Sequence, residues 1–267
     1  MLPGGSAVIN EAAAIKVLVA DDSSTVRRMF KEFVARWPTG AELVEAEDGE
    51  ACLRLFGEQR FDMAFLDVHM PGMTGLEALC HARSQGNETF VVLMSSQPQG
   101  AVIELARKLE AYDFISKPFG PEELVAIFKT YHRLVQPVRA LVVDDSATVR
   151  RVITRIIDQS IFRVSMDEAG TGSAAVELCE KGRYDVVFLD MNMPDVDGPE
   201  TLARLRNRNE NVRVVVNSSE PEENVRRRFG NQKIDIFLKK PFYPKDVDRA
   251  MRTVFDLPTP YRIENAA

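Results

Sequence analysis

FLDVHMPGMTG (residues 65–75) comes back as FLDMNMPDVDG (188–198), and this return decides the fold. Three further blocks repeat in the same register: VLVADDSSTVRRM near 17–29 with LVVDDSATVRRV near 141–152, VVLMSS (91–96) with VVVNSS (214–219), and ISKPF (115–119) with LKKPF (238–242). The paired positions Asp21 and Asp144, Asp67 and Asp190, Ser95 and Ser218, and Lys117 and Lys240 all stand 123 residues apart. Four blocks in one register are two copies of a single domain, far longer than the unit of a solenoid.

Within the first copy, short apolar runs at 15–20, 41–46, 61–67, 89–95 and 112–116 alternate with helical patterns near 24–36, 48–57, 74–85, 98–110 and 121–134. Ser23 or Ser24 can cap the first helix, and Pro121 suits the first turn of the last. Five strand–helix units in succession predict a parallel five-stranded sheet with helices on both faces, once in each copy. Pro137 ends the 121–134 helix pattern and a buried strand begins at once, so the boundaries are expected at 1–13 (N-terminal extension), 14–136, 137–257 and 258–267 (C-terminal tail).

Composition narrows the function. The chain has 267 residues, 45% of them hydrophobic and 28% charged, with a net charge of −6. That is the balance of a globular protein with two cores, not of a disordered chain. Residues 1–136 carry 13 basic and 19 acidic residues, and the remainder carries 21 of each, so no basic field calls for nucleic acid or an anionic membrane. Three scattered cysteines and no apolar run of membrane-spanning length point to a reducing, cytoplasmic setting.

Parallel sheets gather functional groups at the carboxyl ends of their strands. That edge receives Asp21, Asp22, Asp67, Ser95 and Lys117 in the first copy, and Asp144, Asp145, Asp190, Ser218 and Lys240 in the second. Like charges about 4 Å apart cost about 4 kcal/mol per pair at an effective dielectric of about 20. Three carboxylates in one crevice therefore need cations: the lysine, and a hard divalent ion on oxygen ligands, for which Mg²⁺ is suited. A carboxylate nucleophile beside such a metal, a lysine and a hydroxyl suits phosphoryl transfer, with Asp67 and Asp190 central because the third strand lies mid-sheet.

These blocks resemble the receiver domain of two-component response regulators over about 14–134 and 138–256. The resemblance implies a flavodoxin-like (βα)5 fold in each copy and acceptance of phosphoryl groups from a histidine kinase or histidine phosphotransfer protein. Carried onto this sequence, it makes Asp67 and Asp190 the acceptors. Asp22, Asp145, the acceptors and the main-chain carbonyls of His69 and Asn192 become Mg²⁺ ligands, with Asp21 and Asp144 completing the acid pocket. Ser95 and Ser218 match the family's switch hydroxyl, Lys117 and Lys240 its lysine, and Phe114 and Phe237 its aromatic switch position, here without a hydroxyl. His69 and Gln97 in the first copy, and Asn192 and Glu220 in the second, occupy positions that tune dephosphorylation, so the two phosphoryl lifetimes are expected to differ.

No output domain fits after Lys240, so output is expected through protein contacts or a phosphorelay. The face of fourth helix, fifth strand and fifth helix is a candidate for homodimerisation. Beyond self-catalysed transfer and hydrolysis, no enzyme is expected. One alternative makes one copy the acceptor and the other a dimerisation adaptor. A remote one is a Mg²⁺-dependent phosphatase of the haloacid-dehalogenase type, disfavoured because its second aspartate, two residues past the first, is replaced by His69 and Asn192. The arginines at 226–228 are read either as a partner face or as a solvated helix paired with Glu222 and Glu223.

Overall fold

A computed structural model of the protein describes residues 14–96, 100–258 and 260. The first copy runs β1 (Ile15–Ala20), α1 (Ser24–Val34), β2 (Ala41–Ala46), α2 (Gly49–Glu58), β3 (Met63–Asp67), α3 (Gly75–Ser84), β4 (Phe90–Ser95), α4 (Gly100–Lys108), β5 (Asp113–Ser116) and α5 (Pro121–Val135). The second runs β6 (Val138–Val143), α6 (Ala147–Asp158), β7 (Val164–Ala169), α7 (Gly172–Lys181), β8 (Val186–Asp190), α8 (Gly198–Arg206), β9 (Arg213–Ser218), α9 (Glu222–Phe229), β10 (Ile236–Lys239) and α10 (Pro244–Val254). Helix and strand alternate as the two periodicities predict.

Both sheets are parallel and five-stranded, in the order β2-β1-β3-β4-β5 and its equivalent β7-β6-β8-β9-β10. The order reverses direction beside the first strand of each sheet, and a crevice opens there at the carboxyl edge. The inner stretches of the central strands are apolar because helices cover both faces. Val17 to Ala20, Met63 to Leu66 and Val91 to Met94 are fully buried, as are Ala140 to Val143, Val186 to Leu189 and Val214 to Val216.

Local signals set the helix starts. Thr74 forms a capping box with Glu77 at α3, and Asp197 accepts from the Glu200 N–H at 3.0 Å at α8. Ser146 caps α6 weakly at 3.4 Å, whereas Ser23 precedes α1 without a side-chain cap bond. Contacts divide the chain into two compact units, the first running to Val125 and the second starting at Ala126, within α5. Among the described residues no helix is long and apolar enough to cross a membrane.

Candidate functional site

The carboxyl end of β3 places Asp67 in the crevice, where it is 5% exposed. The turn after β1 adds Asp21, wholly buried, and Asp22, exposed. Asp190, Asp144 and Asp145 repeat the pattern in the second unit. In each triad one oxygen from every carboxylate lies within 4.8 Å of the others. Such all-oxygen sets, with one exposed member at the mouth, fit a hard cation that keeps some of its waters.

Each lysine arrives on the loop after the fifth strand and joins two of the three carboxylates. Lys117 Nζ donates to Asp21 at 2.6 Å and to Asp67 at 2.7 Å. Lys240 Nζ donates to Asp144 at 2.7 Å and to Asp190 at 2.9 Å. Burial works against both ammonium groups, but the hydrogen bonds to the paired aspartates outweigh it and hold each lysine above its ordinary pKa. Burial raises Asp21 and Asp190 above the usual carboxylate range, against the opposing pull of their lysines.

The backbone completes each pocket. The N–H groups of Ser23 and Ser146 donate to Asp21 at 3.0 Å and Asp144 at 2.9 Å. The His69 N–H donates to Asp67 at 3.1 Å. Gly75 and Gly198 open α3 and α8 hard against the acceptor strands: a Cβ on Gly75 would sit 2.1 Å from the Asp67 carbonyl oxygen, and one on Gly198 2.8 Å from that of Asp190. Only glycine lets those helix starts approach so closely.

Ser95 and Ser218 end the strands adjacent to the acceptors and are buried, and the Ser218 Oγ accepts from the Glu220 N–H at 3.1 Å. Phe114 and Phe237 are half-buried and pack against the edge of their cores rather than within them. The side chains of His69 and Asn192 are exposed beside the acceptors, and that of Glu220 is partly so. Gln97 lies outside the described residues.

Four contributors escape a reading of the sequence alone. Arg27 donates to the Asp21 and Asp22 carbonyls at 2.8 and 3.2 Å and pairs with Glu47 at 2.7 Å, and Arg150 does the same with Asp144, Asp145 and Glu168. These arginines fix the backbone of the paired-aspartate turns. Their signal was present, since both stand inside a repeated block. Asn217, fully buried, donates to Asp144 at 3.1 Å where the first unit has Met94. Arg228 reaches Asn192, Asp197 and Glu220 instead of remaining on its own helix.

The model of the response regulator receiver domain matches the chain twice, at residues 17–129 and 140–252. The protein belongs to that family and carries two receiver domains in tandem. Receiver domains are modules of two-component signalling that in general bind Mg²⁺ at an acidic pocket and interact with histidine kinases or phosphotransfer proteins. The chain is 34% identical over 112 residues to the chemotaxis protein CheY of Listeria monocytogenes, a match covering 42% of this chain and 92% of that one. It is 36% identical over 105 residues to protein-glutamate methylesterase/protein-glutamine glutaminase 2 of Koribacter versatilis, and 34% over 109 to the regulatory protein AtoC of Escherichia coli. Those matches cover 39% and 41% of this chain but only 29% and 23% of the two relatives. A solved two-component system response regulator/GGDEF domain protein aligns with a TM-score of 0.62 at 23% identity, covering 91% of this chain and 98% of that one, a likeness of fold.

Proposed function

We propose that the chain is a dual-receiver response regulator whose two receiver domains, 14–136 and 137–257, accept phosphoryl groups on Asp67 and Asp190. The observation that carries this reading is the duplicated site, in which the same lysine bridges the same two aspartates beside a third carboxylate in both units.

Asp22, Asp145, the two acceptors and the carbonyls of His69 and Asn192 would hold Mg²⁺, with Asp21 and Asp144 behind them. Bound there, the ion would offset negative charge on the transferring group. The chain's own residues do the rest. A carboxylate oxygen of Asp67 or Asp190 bonds to phosphorus as the bond from phosphorus to the donor's histidine nitrogen breaks, and the imidazole leaves. Lys117 or Lys240 then exchanges its contact with the acceptor for one with a phosphoryl oxygen, and Ser95 or Ser218 donates a hydrogen bond to another. That movement of the hydroxyl shifts the neighbouring strand and repacks Phe114 or Phe237.

Output then passes through protein contacts or a relay in the cytoplasm, with no catalysis beyond transfer and self-hydrolysis. A cleft of about 530 Å³ along β10 and α10, lined by Phe237, Tyr243, Lys245 and Arg249 among others, offers such a contact, including one with a second copy of the chain.

Intact-mass measurement after treatment with Mg²⁺ and a small acyl phosphate tests the reading. Two phosphoryl groups are expected on the wild type, one on Asp67→Asn, one on Asp190→Asn and none on the double variant. A single group abolished by one substitution leaves the other unit as an adaptor. No group on the wild type overturns the reading.

A further inference from the structure

The second unit carries a bridge of side chains across the mouth of its site. Arg228, near the end of α9, donates through Nη1 to Asn192 Oδ1 at 2.8 Å and lies 3.5 Å from Glu220 Oε1. Its Nη2 stands 3.4 Å from Asp197 Oδ2. Asn192 Nδ2 donates in turn to Glu220 Oε1 at 3.1 Å. Three segments are thereby joined: the loop after β8 through Asn192 and Asp197, the loop after β9 through Glu220, and α9 itself. The arrangement uses what a guanidinium offers and an ammonium does not, a planar fork whose donors, on separate nitrogens, point in fixed directions. In the first unit the equivalent positions are His69, Thr74, Gln97 and Leu105, and Leu105 is an exposed apolar side chain.

We infer that Arg228 is a positioning residue that fixes Asn192 and Glu220 over Asp190 and so sets the rate at which the second unit loses its phosphoryl group. The inference rests on the reading of Asp190 as acceptor. In hydrolysis, a water oxygen bonds to phosphorus while the bond between phosphorus and the Asp190 oxygen breaks. The aspartate leaves as carboxylate, and the water's proton passes to Glu220 or to solvent. Asn192, two residues past Asp190, and Glu220, two past Ser218, stand on the loops that edge the site from which that water would approach. Each sits on a loop, and free rotation of either would disperse the geometry the attack needs. Arg228 occupies the Asn192 carbonyl oxygen, which leaves the amide N–H to hold Glu220 in a single orientation.

The neighbouring Arg226 does something else. Arg226 pairs with Glu222 one turn back on its own helix, an ordinary solvated contact. The bridge belongs to Arg228 and not to Arg226.

The test uses the full chain carrying Asp67→Asn, so that Asp190 alone is labelled. The protein is phosphorylated with Mg²⁺ and a small acyl phosphate, freed of donor, and followed by intact mass. Arg228→Ala and Arg228→Gln are expected to lengthen the phosphoryl lifetime roughly fivefold, the rate equivalent of one modest hydrogen-bond contribution. Arg228→Lys, retaining charge without the fork, is expected to recover part of the loss. The rate of phosphorylation by the donor is expected to stay unchanged, which general damage to the pocket would not allow. Adding Arg228→Ala to a chain already carrying Asn192→Ala and Glu220→Ala is expected to have no further effect. A lifetime unchanged or shortened in Arg228→Ala overturns the inference, as does an equal slowing of phosphorylation. If the Asp67→Asn protein takes up no phosphoryl group, the acceptor reading fails instead, and the two failures are distinct.

Discussion

Position for position the two units share their aspartates, serine and lysine, yet the residues around those groups are of different chemistry. Met94, Thr74 and Leu105 in the first unit stand where the second has Asn217, Asp197 and Arg228. The polar groups common to both copies thus stand at the strand ends, and what separates them stands one layer out, where apolar Met94 and Leu105 give way to polar Asn217 and Arg228 and the hydroxyl of Thr74 to the carboxylate of Asp197. The difference teaches that a duplicated site can keep one set of polar groups and still surround them with different neighbours.

The largest effect expected from probing this comparison is at the lysines. Lys117→Met leaves buried Asp21 and Asp67 without their cation and is expected to cost about 3–5 kcal/mol of stability at neutral pH. Lys240→Met is expected to cost less, because Asn217 keeps a donor on Asp144. Urea unfolding monitored for each unit checks the order, and equal losses would break the comparison. The same pairs give a pH dependence. Both lysines have folded pKa values raised above 10.5, so their contribution is fully present below that pH and is lost as pH rises through the folded value. Alkaline melts of the wild type are expected to fall there and those of the methionine variants to stay flatter.

A smaller effect separates the glycines behind the acceptors. A methyl on Gly75 meets the Asp67 carbonyl at 2.1 Å, against 2.8 Å for Gly198 and Asp190. Gly75→Ala is expected to lose about 3 kcal/mol and Gly198→Ala about 1 kcal/mol, within the usual range for overpacking. Thermal denaturation of the two single variants decides it.

The smallest expected effect is at Asn217, opposite the acceptor in the strand register as Met94 is in the first unit. Its amide takes up part of the electron density of Asp144 that a cation would otherwise use. Asn217→Met is expected to tighten Mg²⁺ binding in the second unit and Met94→Asn to loosen it in the first, each by about 1 kcal/mol, read by titration calorimetry without any phosphoryl donor. Shifts in the same direction would remove Asn217 as the source of the difference.

The fold was legible because its signals are local and written twice. Strands such as Ile15–Ala20 are short, largely apolar runs of the right length, and Pro121 marks the start of its helix. The acid pocket was legible because strand ends converge in any parallel sheet. What escaped depends on distance. Asn217 reads as one polar residue in a buried strand until Asp144, 73 residues away, is brought beside it. Arg228 reads as a helix-surface charge with glutamates one turn back, and that pattern does describe Arg226 and Glu222. No spacing in the chain says that Arg228, 36 residues from Asn192, turns the other way.

The glycine contacts have a mechanical consequence. A Cβ on Gly49 would lie 2.2 Å from the Met73 carbonyl oxygen, and one on Gly172 would lie 2.7 Å from that of Val196. The segment following each acceptor is therefore propped from behind by a helix with no slack left to take up. Under the proposed function, load applied at the aspartate is expected to meet a stiff wall on that side and to be relieved toward the neighbouring strand and the helix after it. In the second unit a guanidinium strut spans that yielding side, so the same push is expected to produce a shorter stroke against a harder spring.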